Sequence, residues 1–146
     1  MSARRQRQMC IRDRIKKAIG VAAAPSSGDG KVLHIKGRDL LKGVPKEVII
    51  NQRQISDALQ EPVQAIIEAV TNTLENSDPE LAADIVDKGI VLTGGGSLLG
   101  ELDQVIRDST GLPVSIADDP LSCVVQGTGK CAENLKELRS VLSSSY

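Results

Sequence analysis

The sequence predicts an α/β fold, and three observations carry that expectation. After residue 78 the pattern alternates helix, strand, glycine loop, helix, strand, helix, which is the signature of helices layered on a sheet. Between Ile55 and Leu74, apolar residues recur in steps of three and four, the mark of an amphipathic helix. Before that helix, two short β-rich runs joined by a glycine- and proline-containing connection predict an antiparallel pair.

The elements follow in chain order. Residues 14–24 (RIKKAIGVAAA) read as the end of a helix, with Ile15, Ala18 and Ile19 on one face and Gly20 as its stop. Pro25 to Gly30 is a turn by composition. Lys31 to Lys36 and Glu47 to Ile50 are the paired strands. Asn51 and Gln54 form a capping-box pattern at the start of the long helix. Pro62 lies inside that helix, where it deletes a backbone donor and is expected to bend it near Ala58. Asp78-Pro79 opens a further helix, with Leu81, Ile85 and Val86 expected to face inward and Gly89 to end it. Ile90 to Thr93 reads as a buried strand. A helix marked by Leu99, Leu102, Val105 and Ile106 runs to Gly111, and Pro113 to Ala117 is another strand. Asp119 is expected to cap a last helix opened by Pro120, with an apolar face running through Leu121, Val124, Val125, Leu135, Leu138 and Leu142. Residues 143–146 read as a frayed tail.

Composition narrows the function classes. Apolar residues make up 40% and charged residues 25% of the 146 residues, as in a soluble globular domain. Tyr146 is the only aromatic residue, so the core is aliphatic. Modules that stack nucleic-acid bases on aromatic rings are disfavoured. Cys10, Cys123 and Cys131 lack metal-ligand spacing and read as free thiols of a reducing compartment, which makes the cytoplasm the default. Cys123 and Cys131 read as small apolar packing residues. His34, the only histidine, has no ligand set around it and reads as a solvated strand residue. Asp118-Asp119 reads as a helix-start signal. The formal net charge is -1, yet residues 1–14 are basic and lack any sustained period. That segment is either a basic arm for nucleic acid or anionic lipid, or a solvated tail foreign to the domain.

Gly94-Gly95-Gly96-Ser97 carries the chemistry. Glycines leave backbone N–H groups open to close approach by a ligand, and a following helix adds positive potential at its start. The loop leaves the carboxyl end of a strand, where open α/β sheets bind ligands. A phosphate, ribose or other polar face of a nucleotide fits such a place; so does a bare strand-to-helix turn. No Gly-Lys-Ser/Thr follows, and the spacing after Gly96 fails GxGxxG, so neither common nucleotide fingerprint is present.

The stretch DIVDKGIVLTGGGSLLGELDQVIRDSTGLPVSIADDPLSCVVQGTGK resembles the C-terminal part of the MreB family of bacterial actin-like proteins, which set rod cell shape. The resemblance runs back through SDALQEPVQAIIEAV and IKGRDLLKGVPKEVIINQRQI to about Ile15. It implies a partial actin-like (ribonuclease H-like) ATPase fold: the second lobe only, a mixed sheet packed by helices plus a small antiparallel strand pair. Residues 15–52 would belong to the small subdomain and residues 53–142 to the remainder of the lobe. The cofactor implied is ATP, with Mg2+ in the whole family protein. Gly94, Gly95, Gly96 and Ser97 would border the adenosine and α-phosphate. Lys16 would lie on the helix beside adenine and ribose. Asp13 stands where the family has a Glu, a departure that leaves its role open. The PLSCVVQGTGK helix would pack the lobe. Implied partners are further copies in a filament and cell-wall elongation proteins at the inner face of the membrane, with no nucleic acid. Those residues imply a cytoskeletal role in cell-wall elongation, with ATP as a conformational switch.

The family's phosphate-binding hairpins, rich in Asp, Gly and Thr, have no counterpart in this sequence, and residues 1–14 resemble no part of the family, so an incomplete reading frame is expected. Two other readings compete: a small α/β nucleotide- or cofactor-binding domain of unknown enzyme activity, and a nucleic-acid module using the basic start. No nucleophile, base or metal cluster supports the enzyme, and steep salt dependence of DNA binding would mark the nucleic-acid module. Half of a two-lobed site offers few contacts to offset the cost of fixing a ligand. Titration calorimetry with ATP and magnesium should therefore show weak or no binding by the chain alone, and no turnover; micromolar affinity would contradict this.

Overall fold

A computed structural model describes residues 3–39, 41–135, 137 and 138, with side chains from Cys10 onward. The elements are α1 (Ala3–Ile19), β1 (Val32–Arg38), β2 (Pro45–Asn51), α2 (Gln52–Glu75), α3 (Pro79–Lys88), β3 (Ile90–Leu92), a 3₁₀ turn (Gly95–Leu98), α4 (Leu102–Thr110), β4 (Val114–Ile116) and α5 (Cys123–Glu133). Leu142 and the 143–146 tail lie outside the described residues.

Two separate two-stranded sheets form. Strands β1 and β2 are antiparallel, in the register Val32↔Asn51 to Arg38↔Pro45. Strands β3 and β4 are parallel, Ile90↔Val114 to Leu92↔Ile116, joined through α4 as parallel strands require. The expected small antiparallel pair is β1–β2, and the strands of the helix-packed sheet among the described residues are the parallel pair β3–β4.

The capping box at α2 is present in both halves. The Asn51 side chain accepts from the Gln54 N–H at 2.9 Å, and the Asn51 N–H donates to Gln54 Oε1 at 3.2 Å. The helix runs unbroken through Pro62 to Glu75. Gly20 donates to the Lys16 carbonyl at the end of α1, and Gly89 and Gly111 close α3 and α4.

The core gathers between α2, α4 and β4. Ala22, Val63, Leu102, Ile106 and Val114 form the buried cluster, ringed by Leu59, Ile67, Val70, Ile90, Leu92, Leu99 and Val105. Ile106 is 0% exposed. Among the described residues no aromatic ring takes part, so branched aliphatic side chains supply the packing.

Several expectations are corrected. Residues 3–14 are helical and continuous with the rest of α1, although they lack an apolar period. They contain no Gly or Pro and are rich in Arg and Gln, so backbone propensity favours extension of the helix, and residues 10–14 are exposed along it. The strand at Ile90 is only half-buried, with Val91 59% exposed, because a two-stranded sheet leaves one face uncovered. Leu81 and Val86 on α3 point to solvent rather than inward. Asp78 occupies the N-cap of α3 but its side chain makes no capping bond; Pro79 alone sets the start. The helix expected from Leu99 splits into the 3₁₀ turn and α4, separated by Glu101 in a left-handed conformation (φ 60). Asp119-Pro120 forms a turn before α5, whose N-cap is Ser122. Helix α5 does not pack through its apolar residues: Leu121, Val124, Val125 and Leu135 are exposed. Cys123 and Cys131 are half-buried and, like exposed Cys10, free thiols.

Two substitutions separate core from surface. Ile106→Ala should lower stability by about 3 kcal/mol in urea unfolding, as for a large-to-small change in a closed core. Val124→Ala, at a position 67% exposed, should change it by less than about 0.5 kcal/mol. Equal effects would contradict this assignment of the core.

Candidate nucleotide-binding loop

The glycine loop begins where β3 ends. Gly94 has φ 78 and ψ 174, a conformation open essentially to glycine alone. Its N–H donates to the Pro120 carbonyl at 2.6 Å, which ties the loop to the turn before α5. Ser97 is 3% exposed, and its hydroxyl donates to the Gly94 carbonyl at 2.7 Å. The Ser97 N–H points to the same carbonyl at 3.2 Å, and Leu99 N–H donates to the Gly96 carbonyl at 3.1 Å. Ser97 is therefore a brace turned into the loop, and its hydroxyl is already engaged.

Gly95 and Gly96 differ. Both are exposed, and as the first residues of a 3₁₀ turn their N–H groups have no partner within it. No backbone acceptor outside the turn takes them among the described residues. Two adjacent N–H groups facing solvent at the carboxyl end of a strand are suited to an anionic or hydroxyl-bearing ligand. The positive potential comes from this short turn, since α4 starts only at Leu102. A Cβ at Gly96 would meet nothing within 4 Å, so the space above it is open.

The end of α1 is brought to the far side of the same loop. Val21 and Gly100 form a parallel bridge, with Ala22 N–H on the Gly100 carbonyl at 2.7 Å and Gly100 N–H on the Gly20 carbonyl at 3.3 Å. Leu99 packs so close to Gly20 that a Cβ there would lie 3.1 Å from Leu99 Cδ1. Gly20 is thus needed for close approach. Lys16, one turn earlier, and Asp13 line one open groove together with Cys10 and Arg12. The ion pair of Asp13 is with Lys17 at 3.0 Å, not with Lys16. Gly94 to Ser97 do not line that groove among the described residues; what joins the two parts is the Gly20–Gly100 bracket. Sequence reading named the glycines and Lys16 but missed the braces, Gly20, Leu99, Gly100 and Pro120. The TGGGSLLG string holds no signal for a partner 80 residues away in the chain.

His34 remains a surface strand residue, with Nδ1 3.3 Å from Glu47 Oε1 across the hairpin. No group of three or more His, Cys, Asp or Glu side chains is placed to hold a metal among the described residues. No described helix is long and apolar enough to cross a membrane.

A sequence model of the family described as MreB/Mbl protein matches residues 7–140, and so reaches into the basic segment at the start. Cell shape-determining protein MreB of Escherichia coli (strain K12) is 46% identical over 121 residues, covering 83% of this chain and 34% of that protein. Cell shape-determining protein Mbl of Bacillus subtilis (strain 168) is 36% identical over 137 residues, covering 92% and 41%. MreB5 of Spiroplasma citri, solved bound to AMPPNP and bound to ADP, superposes with TM-scores of 0.76 and 0.77 at 35% identity, covering 88% of this chain and 38% of that one. The chain therefore spans little more than a third of most of these relatives, and its fold is part of the actin-like ATPase fold. On the family match, the identities and the superposition together, the chain belongs to the MreB/Mbl family of cell shape-determining proteins.

Proposed function

We propose that this chain is one wall of an ATP site in a filament-forming, actin-like cytoskeletal protein that acts at the inner face of the cell membrane to direct cell-wall elongation. The observation that carries the reading is the pair of free N–H groups at Gly95 and Gly96, held by braces on three sides. A solved relative of the same fold binds AMPPNP and ADP, which supports a nucleotide as the ligand. In this reading Gly95 and Gly96 donate to the α-phosphate or ribose side. Lys16 offers its ammonium from the end of α1, and Asp13 stays with Lys17. Bound ATP supplies the anionic charge and the hydrolysable bond; this chain's residues position one face of it and do not attack it. Filament copies are the principal partners, with cell-wall elongation proteins beyond them, and Mg2+ would accompany ATP on ligands from elsewhere.

Joined to a first lobe of the family, the chain should polymerise on addition of ATP, as followed by light scattering. Gly96→Ala should cut nucleotide affinity by about tenfold while stability changes by less than about 1 kcal/mol, because only the ligand meets the added methyl. Gly94→Ala should instead cost about 1–3 kcal/mol of stability, since its φ of 78 is closed to alanine. If Gly96→Ala leaves ATP affinity unchanged, the loop is only a turn.

A further inference from the structure

We infer that the cleft where the segment after α1 meets the starts of α2 and α4 binds a short peptide with both ends free, its ammonium on Glu101 and its carboxylate on Lys31. The cleft shares no lining residue with the glycine loop or with the groove beside Lys16.

Three parts of the chain build it. Val21, Ala23 and Pro25 come from the stretch after α1, Gln52 opens α2, and Glu101 directly precedes α4. Water can occupy about 670 Å³ of it, the size of a small-ligand site. Both ends of the frame are fixed without a ligand. At one end Val21 is buried and bridged to Gly100. At the other, the Lys31 N–H donates to Gln52 Oε1 at 2.8 Å, and the Gln52 N–H donates to the Lys31 carbonyl at 3.0 Å. Arg53 Nη2 ties the neighbouring turn to α2 by donating to the Gly28 carbonyl at 3.1 Å. Gly30 is packed so closely there that a Cβ would lie 2.7 Å from Pro25 Cγ.

The polar groups on this frame are unspent. Among the described residues, Ala23, Ala24, Ser26 and Ser27 make no backbone hydrogen bond through N–H or C=O. The Lys31 ammonium and the Glu101 carboxylate have no ion-pair partner among the described residues, and they do not pair with each other. Glu101 is also the one non-glycine residue at positive φ among the described residues (φ 60). A carboxylate kept on a strained backbone in the wall of a cleft marks a place for a ligand cation.

The ligand class follows from these groups taken together. One wall offers an anion, another offers a cation, and the stretch between them is peptide backbone with free donors and acceptors. A peptide answers all three, with an ammonium at one end, a carboxylate at the other and amides between. Val21 to Pro25 spans at most about 14 Å of extended chain, so two or three residues fit. Ala23, Ala24 and Pro25 offer only small apolar surfaces, which suits a ligand with small side chains.

Titration calorimetry of trialanine into the whole 146-residue chain tests this. Saturable binding of one peptide per chain is expected below about 10 mM. Acetylating the peptide's amine or amidating its carboxylate should each weaken binding about tenfold or more, because each removes a charge-assisted contact. Glu101→Gly, which relieves the strained φ and should not lower the melting temperature, should weaken the free peptide about tenfold and leave the acetylated one unchanged. Lys31→Ala should do the same for the free and the amidated peptide. Gly96→Ala should leave peptide binding unchanged, which separates this cleft from the glycine loop. No binding by the unmutated chain overturns the inference, as does equal affinity for the free peptide and one blocked at both ends. If Glu101→Gly weakens the acetylated peptide as much as the free one, the ammonium contact is overturned. Loss of peptide binding in Gly96→Ala would place the peptide on the glycine loop and overturn the cleft as its site.

Discussion

The rest of the structure depends on Ile106. Among the described residues it is the one large side chain fully withdrawn from water, and it fixes α4 against α2 and β4. With no aromatic residue among its described members, the core is closed by branched aliphatic side chains on three elements that meet at one point. Strand β4 is held beside β3 by the register Ile90↔Val114, and Val114 packs beside Ile106 in the same cluster. The end of β3, and hence the origin of the glycine loop, is positioned by that cluster.

From this anchor the loop is shaped by short-range bonds rather than by burial. Pro120 holds Gly94 from one side, Ser97 closes on Gly94 from within, and Gly20 and Gly100 bind the end of α1 beyond it. Each brace uses a backbone group or a buried hydroxyl and leaves the N–H groups of Gly95 and Gly96 open. A rigid frame around unspent donors is what a polar ligand needs, because the donors are aligned before the ligand arrives. The apolar faces of α3 and α5, by contrast, are uncovered, and the chain spans only 34% of the Escherichia coli relative.

Periodic and punctuated elements were legible in the sequence. The α2 face, the Asn51–Gln54 capping box and the Gly20, Gly89 and Gly111 stops are local signals and stand as read. Features that depend on neighbours were not legible. Leu81, Val86, Val91 and Val124 look like core residues by spacing, yet burial requires a partner surface that periodicity does not contain. The basic start looked unstructured because it has no apolar face, but helix propensity alone carries it. At the site, the glycines announced themselves, whereas the inward turn of the Ser97 hydroxyl and the Gly20–Gly100 bracket arise from tertiary placement.

The central claim is that the wall formed by Gly94–Ser97 and the end of α1 meets the nucleotide. Hydrogen exchange measured by mass spectrometry on the chain joined to a family first lobe, with and without ATP, tests it most directly. The account predicts slowed exchange at the Gly95 and Gly96 amides and through the last turn of α1 when ATP binds. Bound ATP with unchanged exchange at both places would contradict it.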